Sequence, residues 1–293
     1  MMTNAAVPAG AGSRIYAVRR PIAAFAAGAA VALLAGLIGL GGAEFRLPLL
    51  IMVFALYAHR AIRINLLISL ATLAAAAVVR LRVIPDTQVL SLLPEIIAMS
   101  VGGAVAAWVG AGLLARIPRN RIMSVIAILL GMIAVLLVVE TFLAGSAALV
   151  LPYDGQVRTA AALVAGIVIG SISSLLGVAG GEFIIPLLML VYGADIRTAG
   201  TASVLISLPI VLTGVMRHFL AGKFRSRSML GYLVLPMSMG SILGAVLGGY
   251  ISVQVPGNGL RLALAAILVA SAIKLWRKQE PAQGALAADR MHQ

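Results

Sequence analysis

The sequence predicts an all-α polytopic membrane protein made of two inverted-topology repeats of transmembrane helices, with glycine-broken helical hairpins meeting near the midplane. Three observations lead there. Of the 293 residues 62% are hydrophobic and only 11% charged, with a mean hydropathy of +1.09; a water-soluble helix of comparable length keeps a polar face. Apolar stretches of about 20 residues recur, each long enough to cross a hydrocarbon core roughly 30 Å thick. Finally, adding 138 to a first-half position lands on its second-half equivalent without a gap, and residues 28–70 share 15 identities in 43 pairs with residues 166–208.

The repeat sets the elements in order. A cytoplasmic tail, 1–20, precedes a first repeat at 21–143, with segments at 21–38, 45–57, 61–79, 89–114 and 121–142. An extracytoplasmic linker, 144–158, leads to a second repeat at 159–277, with segments at 159–176, 183–193, 198–219, 228–251 and 259–276. A cytoplasmic tail, 278–293, ends the chain. The first span has the basic start and small residues of a signal peptide, but its equivalence to an internal segment predicts that it is retained. Segments 45–57 and 183–193 rise only about 16–20 Å as helices, so they are expected as half-helices returning from a break.

Charge orients the halves. With an inner N-terminus and each broken pair folded as a hairpin, Arg14, Arg19, Arg20, Arg60, Arg63, Arg116, Arg119, Arg121, Lys223, Arg225, Arg227, Lys274, Arg277 and Lys278 fall on the cytoplasmic side. Arg80, Arg82, Arg158, Arg197 and Arg261 fall outside with Asp86, Asp154 and Asp195. This positive-inside bias places both termini in the cytoplasm. An odd number of segments per repeat inverts the second half, an arrangement typical of secondary transporters. The net charge of +13 therefore reports topology, and nucleic acid is not an expected partner. No cysteine is present, which excludes disulfides and thiol chemistry. No P-loop, zinc-type histidine pair or serine–histidine constellation suggests an enzyme; neither a metal nor a cofactor is expected.

Chemistry concentrates in two related stretches, "GLGGAEFRLPLL" at 39–50 and "GVAGGEFIIPLL" at 177–188. Gly39, Gly41, Gly42 and Gly177, Gly180, Gly181 are where a helix can break and the backbone can approach a ligand. Each following helix opens with free amides and the positive end of its dipole, an anion-favouring arrangement. Pro48 and Pro186 sit early in those helices, where a missing amide does least harm. Glu44 and Glu182 either cap the first turn or serve proton coupling or gating, as intramembrane carboxylates often do. Arg46, replaced by Ile184 in the echo, either pairs with a glutamate or binds an anionic substrate through its fork of donors. Substrate contacts are expected from Arg46, Gly41, Gly42, Ala43, Gly180, Gly181, Asn65, Thr201 and Ser203. Asn65, Ser69, Thr72, Thr201, Ser203 and Ser207 also suit interhelical hydrogen bonding. His59 and His218 are expected at span ends, Met237 and Met239 in packing, and the glycine ladders "VGGAVAAWVGAG" and "MGSILGAVLGGY" in close helix contacts.

These two stretches, each followed by alanine and serine on the next helix (Ala61 and Ser69, Ala199 and Ser207), resemble the TauE/SafE sulfite exporter family over about residues 21–277. The second copy, continued by "DIRTAGTASVLISLP", is the closer match. The first departs from it at Ala43 and Arg46. The resemblance implies a bacterial inner-membrane permease for sulfur-containing oxyanions: sulfite, thiosulfate or organosulfonates. The expected function is secondary transport, with export the family's usual direction, by alternating access between inverted repeats and with proton coupling at the glutamates. The alternative is a membrane-embedded anion-binding receptor or accessory subunit that moves nothing. The expected partners are the small anion and the lipid bilayer, with oligomeric state unassigned.

Overall fold

The computed structural model describes residues 21–38, 42–83, 87–114, 155–222 and 229–251, together with the isolated positions 124, 128, 131, 132, 135, 269 and 273. The expected segments 121–142 and 259–276, apart from those positions, lie outside the described residues, as do Gly39 and Gly41. All regular structure among the described residues is helical. The helices are α1 (Pro21–Ile38), α2 (Ala43–Met52), α3 (Ala58–Val83), α4 (Thr87–Ser91), α5 (Leu93–Leu114), α6 (Gly155–Leu176), α7 (Gly181–Tyr192), α8 (Ile196–Leu220) and α9 (Leu235–Ile251). A π-helical turn, Leu230–Val234, leads into α9.

Among the described residues, five stretches are long and apolar enough to cross a membrane: Ala58–Arg82, Leu93–Gly112, Gly155–Leu175, Arg197–Leu220 and Leu230–Ile251. Their outer faces carry exposed apolar stripes at helical spacing, such as Ile97, Val101, Val105 and Val109 on α5, and Leu235, Met239, Leu243 and Leu247 on α9. In water such stripes would be large exposed patches; against lipid tails they are the expected surface. α2 and α7 have ten and twelve residues and rise about 15 and 18 Å, so neither spans alone. α7 returns towards the start of α6: Tyr192 in its last turn donates its hydroxyl to Arg158 O, in the first turn of α6, at 3.1 Å. The α6–α7 pair is thus a hairpin with both outer ends on one side.

The two halves interlock. α1 packs on α9 while α6 packs on α5, and α3 packs on α9 while α8 packs on α5. Each contact recurs with the halves exchanged. The close approaches repeat almost atom for atom: a Cβ on Gly28 would lie 2.3 Å from Met237 O, and one on its equivalent Gly166 would lie 2.3 Å from Met99 O. A Cβ on Gly240 would lie 2.1 Å from Phe25 O, and one on Gly102 would lie 2.4 Å from Leu163 O. Small residues are required there because backbone meets backbone. The glycine ladders thus join one repeat to the other.

At the mouth of α8, Asp195 is the helix cap. Its carboxylate accepts from the amides of Arg197 at 2.9 Å and Thr198 at 3.3 Å, and from the Thr198 hydroxyl. Burial pushes this carboxyl upward, but the hydrogen bonds from Thr198 and the two amides outweigh it and hold the group below its ordinary value. A carboxyl so depressed stabilises the fold above the ordinary carboxylate range and loses that contribution as pH falls through the lowered value. Asp195→Ala is therefore expected to cost about 1 kcal/mol near neutral pH. Thermal unfolding in detergent at a series of pH values checks this; the gap from wild type should close on acidification.

Candidate functional site

Two left-handed glycines make the breaks. Gly42 precedes α2 with φ 68° and Gly180 precedes α7 with φ 80°. Gly177, with φ 66°, carries a second demand, because a Cβ there would lie 2.5 Å from Ile62 O on α3. Ser173 braces this break: its carbonyl accepts from the amides of Gly177 and Val178, and its hydroxyl donates to Val178 O. Pro48 and Pro186 stand four residues after Glu44 and Glu182, so each glutamate carbonyl lacks its usual i+4 amide donor.

One side chain ties the two breaks together. Asn65 Nδ2 donates to Ala43 O at 2.7 Å and to Gly177 O at 2.9 Å. Gly177 O belongs to the second break and Ala43 O to the first turn after the first. Asn65 Oδ1 accepts from Arg46 Nε at 3.3 Å. Arg46 has no exposed surface, as is also true of Glu44, Asn65 and Ser69. Its Nη1 donates to Thr72 Oγ1 and Ser241 Oγ, both at 3.0 Å, and its Nη2 to Ser69 Oγ at 2.9 Å. Asn65, Ser69 and Thr72 are spaced i, i+4, i+7 on α3 and present one polar face to the guanidinium. Ser241 comes from α9. These four acceptors are neutral, so these hydrogen bonds orient the guanidinium, and Glu44 acts on it as an opposite charge.

The equivalent place in the second repeat keeps Ser203 and Ser207 for Asn65 and Ser69 but is otherwise apolar. Ile184 stands for Arg46, Ile210 for Thr72 and Gly103 for Ser241. Ile210 is packed so closely on Gly103 that a Cβ there would lie 2.4 Å from its Cδ1. Glu44 and Glu182 survive in both copies, and their carboxyl groups interact with each other at the centre, with Arg46 acting electrostatically on Glu44. Both Glu44 oxygens and Glu182 Oε1 are buried without a hydrogen-bond partner among the described residues.

The structure thus brings together Arg46, Ala43, Asn65 and the backbone of Gly177, and sets Glu44 against Glu182. Gly42, Gly180 and Gly181 are buried at the breaks, and Pro48 and Pro186 lie buried in the half-helices. Thr201 and Ser203 make other bonds: Thr201 accepts from Arg80, and Ser203 donates to Gly200 O at 3.0 Å. Ser207 is buried with its hydroxyl unpartnered among the described residues. His218, expected at an interface, is buried. Ser241 was missed as a functional candidate because it sits in a glycine ladder; the available signal was that its repeat counterpart is glycine.

A cavity of about 690 Å³ opens between the starts of α5, α6 and α8 and the end of α7, lined among others by Glu95, Arg158, Tyr192 and Thr198. Arg158 Nε pairs with Glu95 Oε1 at 3.1 Å, and its guanidinium lies 5.3 Å from the Tyr192 ring centre. Neither Arg46 nor Glu44 nor Glu182 lines this space.

A family model described as "Sulfite exporter TauE/SafE" matches residues 24–280. A search of the curated proteins and a search of the solved structures each return no match.

Proposed function

The chain belongs to the TauE/SafE family of sulfite exporters, and from that premise we propose that it is a secondary transporter of sulfur-containing oxyanions. Sulfite, thiosulfate and organosulfonates share a compact, oxygen-rich anionic head that suits helix N-termini and a guanidinium. The observation that carries the reading is Arg46, wholly buried and held by neutral acceptors beside two helix breaks that Asn65 joins. A guanidinium buried at the helix breaks, with Glu44 as its electrostatic neighbour, offers a fork of donors that suits an oxyanion.

Glu44 and Glu182 supply the coupling. Two carboxyls facing each other in a buried site resist ionising together, so they hold a proton between them that the anion's arrival displaces or demands. Alternating access follows from the repeat. The charge bias inverts one half against the other, so the interlocked pairs α1–α9 and α5–α6 would rock about the central site. The same bias supports both termini inside and the 690 Å³ cavity facing out, and membership of the family supports a bacterial inner membrane. The family's description as sulfite exporters supports export as the direction.

The test is a flux panel with purified protein in liposomes: sulfite, thiosulfate and a small organosulfonate against phosphate and chloride. Net movement of one or more sulfur oxyanions is expected, faster with a pH gradient imposed. Saturable binding of sulfite with no flux of any panel member would instead mark an anion receptor.

A further inference from the structure

A second buried arginine reaches the first turns of α8, the helix whose Thr198 lines the cavity. Arg80 lies in the last turn of α3, two residues before Arg82. Arg82 is exposed, as expected of a basic residue reaching for an interface, but Arg80 is only 8% exposed. Its guanidinium instead crosses to α8 and lies on the bare face of Gly200, where a Cβ would come within 2.8 Å of Nη1. Among the described residues it makes one hydrogen bond, from Nη1 to Thr201 Oγ1 at 3.5 Å, the outer limit for such a bond. The Thr201 hydroxyl in turn donates to Arg197 O at 3.0 Å. A guanidinium has five N–H donors, and burying it with so little compensation is unfavourable unless another partner is supplied.

Position fits a ligand. Thr198 lines the cavity, and Thr201 follows one turn deeper on the same face of α8. The repeat equivalent of Arg80 is His218, so both copies place a basic side chain here but only one places a fork of five donors. We infer that Arg80, with Gly200 and Thr201, forms a second oxyanion-binding position between the outer cavity and the central site. This rests on the oxyanion reading above. An anion leaving or approaching Arg46 would exchange onto Arg80, whose unused donors replace the water it sheds. Gly200 is the residue that makes room: any side chain there would push the guanidinium aside.

Calorimetric titration of sulfite into the purified full-length protein tests this, run beside the liposome flux. Arg80→Gln and Gly200→Ala should weaken an outer sulfite-binding event at least about tenfold. Arg80→Lys should weaken it less, and Arg46→Gln should leave it in place. Gly200→Ala is the safeguard against misfolding, because only the end of a flexible side chain has to move. Titrations of Arg80→Gln and Gly200→Ala that superimpose on wild type overturn the proposal; if Arg80→Gln does not fold, Gly200→Ala decides alone. Sulfite binding that depends on Arg80 without flux refutes the transport reading and upholds the second position. No sulfite binding to wild type overturns both.

Discussion

Arg46→Ala is expected to abolish oxyanion transport, a loss of at least about a hundredfold if one charge-assisted contact of roughly 3 kcal/mol is removed, while the protein stays folded. The second half of that expectation comes from how its partners are satisfied. Ser69 and Thr72 donate to Asn65 O and Ile68 O of their own helix, and Ser241 donates to Gly28 O. Asn65 keeps both amide donations across the breaks. Removing the guanidinium therefore strands no donor among these four side chains; it takes away only what they accept. Arg46→Lys keeps the charge but cannot reach acceptors on α3 and α9 at once, so it should recover a small part of the rate. Flux in liposomes, with circular dichroism and gel filtration on the same samples, checks both variants. Wild-type kinetics in Arg46→Ala would remove it from the substrate path.

The second large effect is expected from the paired glutamates. Two like charges about 4 Å apart repel by about 4 kcal/mol even at an effective dielectric of 20, which makes a single shared negative charge the stable arrangement of a facing pair. Glu44→Gln and Glu182→Gln each turn the proposed titrating pair into one carboxyl beside an amide. The wild type should speed up when a proton gradient is imposed, and each variant should lose most of that response while sulfite binding persists. Because the pair acts as a unit, the double variant should be little worse than either single one. Proton-driven rates that superimpose on wild type in both single variants would leave the glutamates with capping alone.

Much of this arrangement is legible in the sequence because the duplication repeats the parts that geometry forbids changing. Gly42 and Gly180 adopt left-handed backbone in both copies, and Gly28, Gly102, Gly166 and Gly240 stand where backbones touch. These positions recur because no side chain fits. The short segments also read correctly as less than a span, since ten to twelve helical residues cannot cross a bilayer. What the sequence hides is pairing across the repeats. That Asn65 reaches Gly177 O, 112 residues away, depends on how α3 crosses the second break. Ser241 reads as one more small residue of a packing ladder until α9 is laid against the Arg46 pocket. Thr201 and Ser203 are expected as substrate contacts, yet Thr201 accepts from Arg80 and Ser203 bonds within its own helix. The asymmetric residues Arg46, Thr72 and Ser241 are the ones the repeat cannot explain, polar where the other copy has Ile184, Ile210 and Gly103, while Arg80 carries a guanidinium where the other copy has the imidazole of His218. A two-fold frame has been loaded with charge on one side.

Counterflow tests the central claim most directly, that one site between the two helix breaks opens alternately to either side. Liposomes containing the purified protein are filled with unlabelled sulfite and placed in trace radiolabelled sulfite. A single alternating site predicts transient accumulation of label above equilibrium, abolished by Arg46→Ala. Label that only equilibrates, or never enters, or accumulates equally in Arg46→Ala, would contradict it.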